Sequence, residues 1–399
     1  MRARSVHAAQ PSAPRARGFT LVELMVALSG GLFLSVVVFA LARDASRFYQ
    51  REARLATATL GGITGFERLK SDIMRASYLS TPNFDADSQV RPSGNAAISS
   101  LVGINITRDT SLQALPPYQQ NASAGQVLNP DRIQISGSFA ATDEFPGSVD
   151  VSRTVVSLNA NSPALARTGF IQADDATKAR LVEEFFRPGK ILRFVEIGSR
   201  VQSYGIIAST TVTTGTPQIT LQAALDGIDG FAAGSSVSVV DRVGYAIRKL
   251  RGSGDDGPWK PLYDASGDVA GEEDRTELVR EELDAAGLVI SREIAAEYAV
   301  DLKFGVTGQV NPGDPLVYAS SWDASDTANF DALIARPQGI RSVRVRLSVR
   351  SREADRDANI TSPPGGPIYR FKLGTNLGWA RVRTFQADVA LPNQAAVQW

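Results

Sequence analysis

Residues 19–42 read FTLVELMVALSGGLFLSVVVFALA, a run of 24 residues with a single charged side chain, Glu23. At 1.5 Å per residue such a helix is about 36 Å long, enough to cross the hydrocarbon core of a bilayer. Arg15 and Arg17 precede the run, and no comparable cluster follows Arg43, which orients the N-terminus towards the cytoplasm and everything after the span outside. Glu23 needs an explanation, because a carboxylate in a span costs roughly 2.5 to 3.5 kcal/mol at the centre and less near an end. Cleavage between Gly18 and Phe19 would create an ammonium one helical turn before it. The ammonium of a neighbouring subunit, staggered by about one turn, would then neutralise Glu23 in low dielectric. Two other readings fit less well. A secretory signal cut after Ala40-Leu41-Ala42 has the right small residues, but its apolar core would far exceed the usual length of about 7 to 15 residues. An uncleaved signal anchor leaves Glu23 uncompensated.

Composition narrows the function classes. The 399 residues contain no Cys, and the only His, His7, precedes Gly18. A chain processed at Gly18 therefore has neither residue type. This excludes Ser-His-Asp and Cys-His nucleophilic catalysis and thiolate or imidazole zinc sites. Catalytic, cofactor-binding and metal-ligating residues are accordingly none, and the chain reads as a non-enzyme without cofactors. Basic and acidic residues number 42 each, and Arg2, Arg4, Arg15 and Arg17 fall in the leader; the processed chain is mildly acidic, which argues against a nucleic-acid partner. A chain of this length has enough apolar residues to fold by burial without disulfides.

The string Gly18-Phe19-Thr20-Leu21-Val22-Glu23 followed by an apolar run resembles the type IV prepilin motif shared by pilins and type II secretion pseudopilins. The resemblance implies cleavage after Gly18 by a prepilin peptidase, N-methylation of Phe19, and a subunit-docking role for Glu23. The 18-residue leader is long for the common pilus class. Further along, Leu69-Lys-Ser-Asp72-Ile-Met-Arg75-Ala-Ser-Tyr78 is similar to the end of the first helix in PilW-like minor pilins, with Ala76 and Ser77 departing from the pattern. Ile294–Phe304, Ile340–Arg350 and the stretch TFQADVALPNQ from Thr384 are similar to later parts of that family, in the same order. The implied function is that of a minor pilin in the nucleation or tip complex of a type IV pilus, with other minor pilins and the major pilin as partners. The implied location is the inner membrane, with the head in the periplasm before assembly and in the pilus at the cell surface afterwards. The J-type minor pseudopilin of a type II secretion system is the next reading, and a membrane-anchored secreted hydrolase or an adhesin is the alternative from another class.

The expected fold is α+β: a long N-terminal helix, membrane-inserted in its first half, packed on a mainly antiparallel sheet. Its divisions are a leader at 1–18, a span at 19–42, an amphipathic continuation at 43–80 and a β-rich head at 81–399, with a small β insertion at 190–248. Phe48, Leu55, Thr59, Ile63, Phe66, Leu69 and Ile73 fall at helical spacing, so the second half of the helix covers its own head. Gly61, Gly62 and Gly65 predict a bend, and Thr81-Pro82 predicts the end of the helix. In the head, Val343, Val345, Leu347 and Val349 alternate with Arg344, Arg346, Ser348 and Arg350, the pattern of a strand with a solvated arginine face. Other expected strands include Arg132–Ser136, Val151–Leu158, Val237–Val240, Val243–Arg248 and Ala299–Val306, with a helix around Ala173–Phe186. Gly252-Ser-Gly254-Asp-Asp-Gly257 fits a dinucleotide-loop pattern by letter only and reads as a turn, since two Asp would repel a pyrophosphate. The acidic run from Asp255 to Asp274 lacks calcium-loop spacing and reads as solvated surface.

Overall fold

The computed structural model describes residues 20–108, 130–141, 143–198, 200–228, 234–248, 275–354, 369–373 and 378–395. Gly18, Phe19, the glycine-rich turn at 252–257 and the whole acidic run from Asp255 to Asp274 lie outside them. The chain divides into two units, Met1–Ala53 and Arg54–Trp399, and the helix α1 (Leu21–Met74) contributes to both. The long apolar helix and the antiparallel head form the expected α+β fold.

In the second unit, α1 buries Gly62, Gly65, Phe66, Leu69, Asp72 and Ile73, a spacing of three and four residues that turns one face to the head. Ile63, expected on that face, is exposed. Gly62 takes the position instead: a Cβ there would lie 2.5 Å from the Phe385 ring. A Cβ on Gly65 would lie 2.3 Å from the carbonyl oxygen of Ala295. These glycines do not break the helix, since α1 runs through them without interruption, and Gly62 and Gly65 allow its close approach to the head. Phe66 stacks obliquely on Phe385 at 5.8 Å. The helix also stops earlier than Thr81-Pro82. After Met74 the backbone turns through Ser77 (φ 61°) and Leu79 (φ 49°), and the Ser77 N–H donates to Ser136 O at 2.8 Å.

Ten strands then form one antiparallel assembly: β1 (Ile104–Thr107), β2 (Arg132–Gly137), β3 (Phe145–Val149), β4 (Val155–Leu158), β5 (Ile191–Val195), β6 (Gln202–Thr213), β7 (Thr216–Leu221), β8 (Ser235–Arg248), β9 (Glu277–Leu283) and β10 (Val289–Ala296). Strand β8 belongs to two layers. Its first half closes a six-stranded ring in the order β8-β3-β4-β7-β6-β5, with β5 pairing back on β8. Phe145, Val156, Phe194, Ile207, Ile219 and Val237 are buried there together with Phe170, Val182 and Phe186, the last two from helix Asp175–Phe185 and its C-cap. The second half of β8 lies between β2 and β9 in a flanking sheet that β1 and β10 complete.

The last strands, β11 (Ala299–Gly308), β12 (Val317–Ser320), β13 (Ile340–Arg350), β14 (Arg370–Lys372) and β15 (Trp379–Ala390), form a five-stranded antiparallel sheet ordered β12-β11-β13-β15-β14. Val343, Val345, Leu347 and Val349 share one core with Phe66, Leu69 and Ile73 of α1 and with Ile133, Val243 and Leu278 of the flanking sheet. The opposite face of β13 is not the expected solvated row. Arg346 lies over the Trp322 ring at 4.7 Å, and Arg350 is fully buried between Tyr298 and Phe371. Only Arg344 reaches outward, in a two-pronged pair with Asp388 at 2.7 and 2.9 Å. The aromatic covers come from segments distant in sequence, so alternation along β13 alone could not reveal them.

Candidate assembly segment and its anchor

Within the first unit, Leu21–Gln50 of α1 is long and apolar enough to cross a membrane, with a mean hydropathy of 2.5 and none of its most apolar window buried. Phe33 and Phe39 are 70% and 75% exposed, on a helix that is apolar on every side. Such a surface is stable against lipid or against other apolar helices, not against water. The hydroxyls of its two central serines are satisfied locally: Ser29 Oγ donates to Val26 O at 3.1 Å and Ser35 Oγ to Gly31 O at 2.8 Å.

Glu23 sits in the first turn of α1. Its Oε2 accepts from the Thr20 N–H and the Thr20 hydroxyl, both at 3.0 Å, while the Glu23 N–H donates to Thr20 Oγ1 at 3.2 Å. This is a reciprocal capping box. The Thr-x-x-Glu spacing at 20–23 was legible in the sequence and assigns Thr20 a role that the apolar run had obscured. The box satisfies backbone donors at the helix start, but Thr20 brings no charge, so the carboxylate still lacks a cation from within the described residues of this unit.

In the second unit, the end of α1 is tied to the head by charge. Asp72 is buried, and its Oδ2 accepts from the Tyr245 hydroxyl on β8 at 2.7 Å and from Arg280 Nε on β9 at 2.8 Å. Burial, and next the Asp72 carboxylate, push the Tyr245 phenol well above its usual range, so it stays a donor. Three residues later Arg75 donates to Ser138 O at 2.6 Å and covers the Phe139 ring. Both Asp72 and Arg75 belong to the Leu69–Tyr78 string. Nothing in the sequence marked Tyr245 or Arg280 as partners of Asp72. Ile294–Phe304, Ile340–Arg350 and the segment from Thr384 supply β11, β13 and β15, which are adjacent in the sheet against α1.

Two other buried carboxylates are strained by their surroundings. Asp131 is pushed up to about 6, mainly by burial and against the pull of Lys303. Glu277 is pushed up to about 7 by burial, against the pull of Arg275. Among the described residues no group of three or more acidic, His or Cys side chains is arranged to hold a metal.

Residues 14–29 match the family model of the prokaryotic N-terminal methylation motif, which includes Gly18, Phe19, Thr20 and Glu23. No curated protein and no solved structure matches the chain. The motif leads directly into an exposed apolar helix, an N-terminus similar to that of type IV pilin-like proteins and consistent with membrane anchoring.

Proposed function

We propose that the chain is a PilW-like minor pilin that takes part in nucleating or capping a type IV pilus. The reading rests on one observation: a methylation motif is joined to a segment of membrane-spanning length, Leu21–Gln50, whose apolar side chains are all exposed. A prepilin peptidase cuts after Gly18 and the new Phe19 amine is methylated. The span holds the subunit in the inner membrane, with the head in the periplasm, until the helix transfers into a bundle of other pilin helices. Docking positions the ammonium of one subunit against Glu23 of the next, which removes the uncompensated charge. The assignment to the PilW-like group is supported by its four similar segments, which fall on α1 and the three central strands packed with it.

The decisive experiment is mass spectrometry of the mature N-terminus together with the protein content of sheared fibres. The expected result is N-methylated Phe19 and a chain recovered in pili far below the major subunit. A mature N-terminus at Arg43 refutes the pilin reading, and co-purification only with a type II secretion complex refutes the pilus assignment.

A further inference from the structure

Lys190 precedes β5 at the junction of the ring and the flanking sheet, where its side chain is almost wholly buried beside two carboxylates. Its Nζ lies 2.5 Å from Oδ1 of Asp241 and 2.9 Å from Oε1 of Glu282. Asp241 is equally buried, at the point of β8 where the strand passes from one layer to the other. Its second oxygen, Oδ2, accepts from two successive backbone N–H groups, Phe139 at 2.9 Å and Ala140 at 2.8 Å. Glu282 is held from behind: Ser291 Oγ donates to its Oε2 at 3.1 Å, and Arg187 lies 3.8 Å from that oxygen. The backbone around Lys190 is fixed as well. Ala285 N–H donates to Gly189 O, Ile207 N–H donates to Lys190 O, and Lys190 N–H donates to Arg187 O.

These groups have the relations an acyl transfer requires. The amine stands in near-attack range of the carboxyl group on a rigid frame. Two N–H donors point at the oxygen that becomes negative when the carbon turns tetrahedral. A second carboxylate touches the amine and can carry its protons. Burial alone lowers the amine's proton affinity, while Asp241 and Glu282 together raise it by more, so its net direction is up; the relevant proton transfer is internal to the cluster. A buried ion pair gains little over an apolar pair, because both charges have lost their water. Conversion to a neutral amide removes both charges and releases the oxygen as water.

We propose that Lys190 and Asp241 condense to an intramolecular side-chain amide, with Glu282 carrying the protons. The Nζ–Cγ bond forms and the Cγ–Oδ1 bond breaks. The ammonium gives up two protons, both of which leave with Oδ1 as water, and Glu282 is returned unchanged. No oxidant, reductant or cofactor is consumed. The product staples the segment before β5 to the midpoint of β8.

The test is peptide mapping of the full-length purified protein after tryptic digestion. Trypsin cannot cut after an amidated Lys190, so the expected product is a branched peptide joining Leu181–Arg193 to Val201–Arg242, lighter than the two together by one water. Glu282→Gln should yield the two segments unlinked, and Lys190→Arg should do the same. On denaturing gels the wild type should migrate faster than either variant. Unlinked wild-type peptides at full mass overturn the proposal, and that measurement stands even where a variant fails to fold. A water loss confined to a linear Val201–Arg242 peptide, as a succinimide at Asp226-Gly227 would give, also overturns it. Wild-type linkage in Glu282→Gln overturns the role of Glu282.

Discussion

Replacing Gly65 by Ala sets a local gain against a tertiary loss, and the structure decides which is larger. In an exposed helix the change stabilises by about 1 kcal/mol, because Ala loses less backbone entropy. Here the new Cβ would stand 2.3 Å from Ala295 O, 2.7 Å from its carbonyl carbon and 2.8 Å from Ala296 Cβ. Two of those atoms are backbone near the end of β10 and cannot rotate away. Relief requires α1 to withdraw by about 1 Å, loosening the contacts of Phe66, Leu69 and Ile73, and overpacking of this kind costs typically about 1 to 3 kcal/mol, occasionally more. Set against the gain of about 1 kcal/mol, this leaves a net destabilisation of up to about 2 kcal/mol, towards the upper end because the obstructing carbonyl cannot rotate away. Gly61→Ala is the matched control. Nothing lies within 4 Å of a Cβ at that position, so it should stabilise by about 0.5 to 1 kcal/mol. Gly62→Ala should fall between the two, since its obstacles are the side chains of Phe385 and Val349. The assay is urea denaturation of the full chain in mild detergent, followed by tryptophan fluorescence. A Gly65→Ala midpoint equal to the wild type, or a Gly61→Ala loss as large as that of Gly65→Ala, refutes the reasoning that these glycines mediate close approach.

Asp72→Ala strands Arg280 and Tyr245 in the interior and should cost about 3 to 5 kcal/mol, read as a lower urea midpoint with earlier proteolysis after α1; an unchanged midpoint refutes the anchor. Asp131 and Glu277 have folded-state values of about 6 and 7, above their ordinary 3.8 and 4.5. Between those limits the folded state binds more protons than the unfolded one. Their contribution to stability is therefore fullest below the unfolded values and declines as pH rises towards 7, by a few kcal/mol in all. Thermal melts from pH 4 to 8 should show the decline, and Glu277→Gln should flatten its upper part; a rise across that range contradicts it. Glu23→Ala should leave membrane level and processing intact while incorporation into pili and fibre number fall, since a neighbour's ammonium loses its partner at a cost of about 3 to 5 kcal/mol. Thr20→Ala, which removes only the cap, should cost about 1 kcal/mol of helix stability and leave incorporation near wild type. Equal incorporation of Glu23→Ala and the wild type disproves the docking role.

Where local pattern and tertiary environment agree, the sequence was readable. Strand β13 alternates cleanly and was legible, as was helix Asp175–Phe185, where Asp174 caps the Thr177 N–H. Strand β9 was not: ELVREEL looks solvated, yet Glu277 and Glu281 are buried, the first paired with Arg275 just before the strand and the second with Arg248 and Arg292 on the two neighbouring strands. Strand β3 contains Pro146 and Gly147, which argue against a strand, but Gly147 is needed there because a Cβ would lie 2.9 Å from Ser157 O. Strand β8 reads as two pieces because Asp241 and Arg242 interrupt its apolar run. It stays whole because Lys190, Phe139 N–H and Ala140 N–H satisfy Asp241, and Arg242 donates to Ala285 O at 2.8 Å. The motif residues at 18–23 needed no tertiary information, since the match to the methylation motif rests on contiguous sequence alone.

A filament subunit carries load through its helix, and under the proposed function that load must enter the head where α1 ends. Asp72 passes it to Tyr245 on β8 and Arg280 on β9, two adjacent strands of one ladder. Pulling on a ladder along its strands loads many hydrogen bonds together, whereas a load that reaches the end of a ladder can open them one at a time. Strand β8 avoids such an end at this point. Its pairing with β2 and β9 finishes near Asp241 and Arg242, and its pairing with β5 begins at Val240 on the same continuous chain. The weak place is that handover, where one set of partners stops and the next starts. It is also where Lys190, Asp241 and Glu282 converge, with Phe139 and Ala140 held to the same carboxylate. A strong tie at this position holds the ring to the flanking sheet, and the buried Lys190–Asp241 pair stands where such a tie is needed.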